Sequence, residues 1–229
     1  MAFEGFPRDT IKFLADLARH NNRPWFHANK DRYEASVRQP ALAFIEAMAP
    51  QLERIAPRIY ADPSPNGGSL IRIYRDTRFT GDKEPYKTNI GIHFRHEQGD
   101  DIHAPGLYVH IDTKECFWAC GMWRPDGPSL AAIRTRIAEH PDEWKKMCRS
   151  RPFVRVFGEV SGDRLTRPPR GFDPDHPCVE DLKLKDFLGV ANLARRGLYS
   201  PQLPQEAARV FAAGAGLMKF LSTALSLPY

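Results

Sequence analysis

Hydrophobic positions along the chain recur first at a helical period, then at a period of two, then at a helical period again. From Asp9, a residue type suited to capping a helix, Ile11, Leu14, Leu17 and Ala18 follow at three- and four-residue spacing until Asn21-Asn22 interrupts. Pro24 fits the first turn of a second helix, which carries Trp25, Phe26 and Tyr33. Pro40 opens a third, with Leu42, Ile45, Met48, Leu52 and Ile55 on one stripe. Pro57, Pro63, Pro65 and Gly67-Gly68 then break the helical register.

From Ser69 to about Gly121 apolar and polar residues alternate. The clearest strand runs from Thr88 to Arg95, where Ile90, Ile92 and Phe94 interleave with Asn89, Gly91, His93 and Arg95. Gly106 to Asp112 repeats the pattern, and Cys116 to Gly121 follows after a tight Thr113-Lys114 turn. Leu70 to Arg75 reads as the first strand of the series. Short connections between successive strands favour an antiparallel meander. Asp126 and Pro128 announce a helix through Leu130, Ile133 and Ile137, and Pro141 begins another with Trp144 and Met147. Residues 160–180 read as loop, Leu182 to Leu193 as a short helix followed by a strand, and Ser200-Pro201 precedes a closing helix with Ala208, Phe211, Leu217, Phe220 and Leu221. Helices, then strands, then helices predict an α+β fold with the helices on one face of the sheet. The whole chain, 1–229, reads as a single domain: N-terminal helices at about 9–56, the sheet at about 69–121, helices and loops at about 126–229.

Composition adds bounds. A chain of 229 residues with 42% hydrophobic content can bury a core without disulfides. Neither a membrane span nor a leader is evident, and four cysteines without C-x-x-C spacing (Cys116, Cys120, Cys148, Cys178) fit a reducing cytoplasm and no zinc ribbon. No bound metal and no cofactor is expected. Thirty-three basic against 28 acidic residues leave a net charge of +5. That surplus is too small for a dedicated nucleic-acid binder, so any such binding is expected to be weak and non-specific.

Candidate chemistry concentrates in two places. The segment from Arg72 to Thr88 holds five basic residues (Arg72, Arg75, Arg78, Lys83, Lys87), three acidic ones (Asp76, Asp82, Glu84) and the aromatics Tyr74, Phe79 and Tyr86. Guanidinium and ammonium groups on one loop can converge on a phosphate or carboxylate, with Tyr74 and Tyr86 orienting or stacking. The same loop also reads as a connector whose acids neutralise its bases. The second place is the polar face of the sheet. If Ile71, Ile73, Ile90, Ile92, Val109 and Ile111 point toward the helices, the opposite face presents Arg72, Tyr74, Asn89, His93, Arg95, Tyr108, His110 and Asp112. His93 and His110 are acid–base candidates because imidazole titrates near neutral pH. With Asp112 they are also the ingredients of a two-histidine, one-carboxylate metal set. His96, Asp100, Asp101 and His103 read as a solvated loop. Nucleotide-loop, dinucleotide-fold, zinc-protease and serine-hydrolase motifs are all missing.

Taken in order, Asn21-Asn22 with Trp25-Phe26 and Tyr33, then Arg72-Ile73-Tyr74-Arg75-Asp76-Thr77-Arg78-Phe79, Lys83 with Pro85-Tyr86-Lys87, Gly121-Met122-Trp123 with Pro125, and Arg170-Gly171-Phe172 resemble a known family. It is the family catalogued as domain of unknown function 2461. Where its members carry a more glycine-rich run before the tryptophan, this chain has Ala119-Cys120-Gly121. The resemblance implies a one-domain, bacterial-type cytoplasmic protein, and implies no catalytic residue or cofactor.

The leading expectation is therefore a binder of a phosphate-bearing small molecule, with Arg72, Tyr74, Arg75, Arg78, Lys83, Tyr86 and Lys87 as ligand-binding residues. Two other readings stay open. One is a non-catalytic module docking an acidic partner or a nucleic-acid backbone. The other is a metal-dependent enzyme using His93, His110 and Asp112.

Overall fold

The computed structural model describes residues 3–65, 67–76, 78, 83–98 and 105–229. Helix α1 (Asp9–Arg19) buries Phe13, Leu14 and Leu17. Asp9 is its first residue and not its cap. The carboxylate is drawn instead to a distant cation: Arg32 donates to both Asp9 oxygens at 2.7 and 2.8 Å and to Asp16 at 2.9 Å, while Ser36 donates to Asp9 at 2.9 Å. A bidentate charge-assisted pair outcompetes a local cap. Helix α2 (Arg23–Ala28) begins as its sequence predicts, with the Asn22 side chain accepting from the Trp25 amide and Pro24 in the first turn. Helix α3 (Lys30–Tyr33) passes through a π turn at Glu34–Arg38 into α4 (Gln39–Ile55), so Pro40 lies near the start of a continuing helix. Ile45, Met48 and Leu52 are buried, as the stripe predicts, while Leu42 is only partly so.

The sheet is a five-stranded antiparallel meander in the order β1 (Ile59–Tyr60), β2 (Ile90–His96), β3 (Gly106–Ile111), β4 (Cys116–Met122), β5 (Phe187–Asn192). Its register sets the faces. Ile92 pairs with Val109, Val109 with Trp118, and Trp118 with Ala191, and this parity is buried. Its counterpart aligns Gly91 with His110 and His93 with Tyr108, and continues through Phe117, Ala119 and Gly121 to Leu188 and Val190.

Three strand-region expectations are corrected. Leu70 to Arg75 is no strand: it makes isolated bridges at Leu70–Ile92 and Tyr74–Tyr86. The β2 edge is already taken at Arg95 and His96 by β1, which the sequence pattern did not reveal, and the segment folds back on itself through Arg75 N–H to Pro85 O and Lys87 N–H to Ile73 O. Ile71 consequently faces the outer side of the sheet, against Gly91, and not the helices. His96 is not solvated: it closes β2 at 1% exposure, its Nδ1 accepting from the Gln98 amide and its Nε2 2.7 Å from Pro228 O. Asp82, Phe79, Asp100, Asp101 and His103 lie outside the described residues.

Helices α5 (Gly127–Glu139) and α6 (Pro141–Cys148) start at Asp126 and Pro141 as expected. Helix α7 (Arg151–Phe157), unforeseen, packs against β5. The strand expected within Leu182–Leu193 is β5, but the short helix before it, α8 (Val179–Leu182), ends where it was expected to begin and falls mostly in the stretch read as loop. The closing helix is two, α9 (Leu203–Ala213) and α10 (Ala215–Ala224), both against β4. Helix α4 packs along α9, and the core is one continuous cluster between helices and sheet. Among the described residues no helix is long and apolar enough to cross a membrane.

One contact ties the helical corner to the segment beside the sheet. The Asn21 amide donates to Tyr86 O at 3.0 Å and accepts from Tyr86 N–H at 3.1 Å, as a strand partner would. Tyr86 stacks on Phe26, with ring centroids 4.2 Å apart.

Two outcomes are expected. Asn21→Asp keeps the acceptor but turns the donor into a second acceptor facing a carbonyl, and should cost ~1–3 kcal/mol in urea denaturation. The Arg32 hydrogen bonds hold the Asp9 carboxyl below its ordinary value, against a smaller upward push from burial, with Ser36 assisting. A carboxyl depressed in the fold contributes stability above its unfolded value of ~3.9, and that stability is lost as pH falls through the folded value. Arg32→Met should therefore lower stability at pH 7 and flatten its fall below pH 4, as read by chemical denaturation across pH.

Candidate functional site

The helices cover one face of the sheet, and on the other lies a cavity of about 500 Å³. Its floor is made by strand residues of the outer parity. Small residues on that parity (Gly106, Ala119 and Gly121) make the hollow, and larger neighbours wall it. One side is polar: Lys87, Asn89, His93, Tyr108 and His110. The opposite side is apolar: Phe117, Leu188, Val190 and Trp123, the last 44% exposed at the rim. A mainly apolar lining with a few convergent polar groups is what small-molecule sites have in common.

Two strand glycines shape the polar side. A Cβ on Gly91 would stand 2.8 Å from the Tyr108 hydroxyl oxygen, and one on Gly106 would overlap His93 Nε2 and press on Phe94 O. Each ring lies across the neighbouring strand where that strand has no side chain. Glycine weakens a strand, and its presence in one marks a close approach.

Along β3 the polar groups form a chain. The Tyr108 hydroxyl is 3.2 Å from His110 Nδ1, and His110 Nε2 is 3.3 Å from Asp112 Oδ2. The imidazole stacks on Phe117 with ring centroids 4.7 Å apart and planes 8° from parallel. Asp112 Oδ1 accepts the Lys114 and Glu115 amides. Burial pushes the Asp112 carboxyl up, but the amides of Glu115 and Lys114 and then His110 outweigh it and hold it below its ordinary value. Burial, helped by the Asp112 charge, pushes the Tyr108 phenol up to about 12.

Lys87 is the cation of the site. It is half-buried, and among the described residues no carboxylate pairs with it. Burial first, then the positive charge of Arg72, lowers its pKa below the ordinary lysine value.

The other loop residues are placed elsewhere. Arg78 donates from Nε and Nη2 to both Asp76 oxygens at 3.0 and 2.7 Å. Arg75 Nη1 stands 3.6 Å from Glu84. Arg72 and Lys83 are exposed. Tyr74 is 54% exposed and packs edge-on to Phe26, while the Tyr86 ring is in the core at 2% exposure and so is not available to a ligand. Of the seven residues expected to bind ligand, Lys87 lines the cavity.

The metal set expected from His93, His110 and Asp112 is not assembled. Register places His93 opposite Tyr108, and the group of ligand type that converges within 4.8 Å is His110, Asp112 and Glu115. The Asp112 and His110 atoms are committed to one another and to backbone: one Asp112 oxygen serves two amides, the other His110. A cation would have to break those bonds.

The conserved hypothetical protein family DUF2461 matches residues 9–220. The chain belongs to this family. No curated protein and no solved structure matches the chain. The match takes in every strand of the sheet and all the cavity's walls.

The apolar walls were not foreseen from sequence. Leu188 and Val190 arrive on β5, far along the chain from the other walls, and only their alternation within a short apolar run hinted at a sheet position. Gly106→Ala should cost ~1–3 kcal/mol in urea denaturation through overpacking. It should also shift the His93 ring resonances in NMR, whereas a Gly127→Ala control, where an added Cβ meets nothing, should leave both unchanged.

Proposed function

We propose that this protein binds a small organic oxyanion, phosphate-bearing in our reading, in the cavity on the open sheet face. The observation that carries the reading is Lys87, a half-buried ammonium repelled by Arg72 and, among the described residues, without a carboxylate partner. Its lowered pKa means that the charged form is less favourable in the fold than in the unfolded chain. A bound anion reverses that cost. Asn89, His93 and Tyr108 stand in the same cavity as hydrogen-bonding groups, and the apolar wall of Phe117, Leu188, Val190 and Trp123 suits a ligand with a ring or hydrocarbon body. The Arg72–Lys87 segment enters the reading through Lys87 and the field of Arg72. Arg75 and Arg78 are engaged with Glu84 and Asp76.

Thermal melts at fixed ionic strength with phenyl phosphate and with inorganic phosphate test this. At ten times its Kd a ligand adds ~1.4 kcal/mol, a rise of ~3–5 °C for a chain of this size. Phenyl phosphate should raise Tm at lower concentration than inorganic phosphate, because its ring is buried against the apolar wall. Lys87→Met should abolish both responses, while the free variant melts at or a few degrees above the wild type. Failure of both ligands to raise Tm, or an undiminished response in Lys87→Met, would overturn the reading.

A further inference from the structure

We propose that Tyr108 is the second anchor of the oxyanion, and that a proton on His110 decides whether the Tyr108 hydroxyl donates or accepts in the cavity. This rests on the anion reading above and adds to it how the site selects its ligand.

Asp112 is ionised and Tyr108 is protonated throughout the neutral range, the first held down by its amide partners and the second raised by burial. A neutral imidazole has one N–H and one lone pair. The carboxylate of Asp112 can only accept, so it claims the N–H at Nε2, 3.3 Å away. Nδ1 is then an acceptor, and the hydroxyl at 3.2 Å must give it its hydrogen. In this state Tyr108 shows the cavity only oxygen lone pairs, which repel an oxyanion and suit a donor such as an alcohol or amine.

Protonation inverts the chain. Imidazolium has two N–H groups, one for Asp112 and one for the Tyr108 oxygen. The phenol hydrogen no longer has an acceptor in His110 and turns to the cavity. There it donates to an oxyanion held on its other side by Lys87, and the imidazolium adds a positive charge beneath. Both hydrogen bonds of the chain are long as they stand, and charge-assisted bonds are shorter. An oxyanion is therefore taken up together with one proton, and a neutral hydroxyl compound of the same shape is selected against in the protonated state.

The surroundings of His110 leave this role to it. Its own strand supplies Tyr108, the β3–β4 turn supplies Asp112 and Glu115, β4 supplies the apolar face of Phe117, and the facing residue on β2 is Gly91. Lys87, Asn89 and His93 share the cavity. An anion bound in the cavity offsets the Lys87 charge and brings a negative charge beside the His110 ring. That is the coupling.

By linkage, the factor by which protonation tightens binding equals the factor by which binding favours protonation. The experiment follows the His110 ring by NMR across pH, with and without saturating phenyl phosphate, in wild type, Tyr108→Phe and His110→Gln. Phenyl phosphate should move the wild-type His110 midpoint upward by about one pH unit, the equivalent of tenfold tighter binding to the protonated form. Tyr108→Phe keeps the ring and the charge but not the hydroxyl, so it should bind more weakly and shift the midpoint less. In His110→Gln the affinity between pH 5.5 and 8.5 should lose the part of its pH dependence that wild type shares with the His110 midpoint, leaving that of the phosphate and of His93. Binding with an unmoved wild-type midpoint, or an equal movement in Tyr108→Phe, would overturn the proposal and leave the anion reading standing. No binding of phenyl phosphate at any pH would remove the anion reading and this inference with it.

Discussion

An antiparallel sheet has two faces of opposite parity, and this chain supplies helices for one. Every strand contact follows from that arrangement. Ile92, Val109 and Trp118 are locked across neighbouring strands on the side where α9 and α10 pack, which forces His93, Tyr108, His110 and Phe117 to the other side. A slip of one residue in any strand would exchange the two sets, burying imidazole and phenol in the core and exposing large apolar groups. The hydrophobic core thus specifies the open face indirectly, by leaving no other register for it.

The hollow depends on what the open face gives up. An outer sheet face can carry β-branched or aromatic residues, which favour strands. Here Gly91, Gly106, Ala119 and Gly121 occupy it, and the rings of His93 and Tyr108 lie across the first two. The strands lose intrinsic preference, and the antiparallel ladder on both sides compensates. The site is accordingly built on strands laddered on both sides, while its lysine arrives from a segment fixed at a distance by Asn21, Tyr86 and Phe26.

Charge is distributed by the same logic. Two cations of the Arg72–Lys87 segment are matched locally, Arg78 by Asp76 and Arg75 by Glu84, in water-facing pairs of small energetic weight. Lys87, the cation that enters lower-dielectric surroundings, has no carboxylate partner among the described residues. Beside it, β3 and the residue that follows it carry a phenol, an imidazole and a carboxylate in contact at alternate positions, which extended backbone places on one face. Proton position and ligand charge meet in that chain.

Local order determined what the sequence by itself disclosed. The periods of 3.6 and 2 marked α1, α4, α5, α6 and β2 to β4, short connections implied the meander, and the polar parity of β2 and β3 singled out His93, Tyr108 and His110. Lys87 was legible as a basic residue in an unusual segment, but so were Arg75 and Arg78, and nothing along the chain separates a lysine that enters a cavity from an arginine that finds an acid nearby. Tyr86 illustrates the same limit: its neighbours are charged, yet Asn21 and Phe26, distant in sequence, draw its ring into the core. Leu70–Arg75 alternates like a strand but meets β2 only at Leu70, beyond which it turns to pair with Pro85–Lys87 instead. The cavity's apolar wall and its cation, like the loss of the expected metal set, were decided by tertiary structure alone. Periodicity is a property of neighbours a few residues apart, whereas a site is closed by chain segments whose separation in sequence carries no trace of their distance in space.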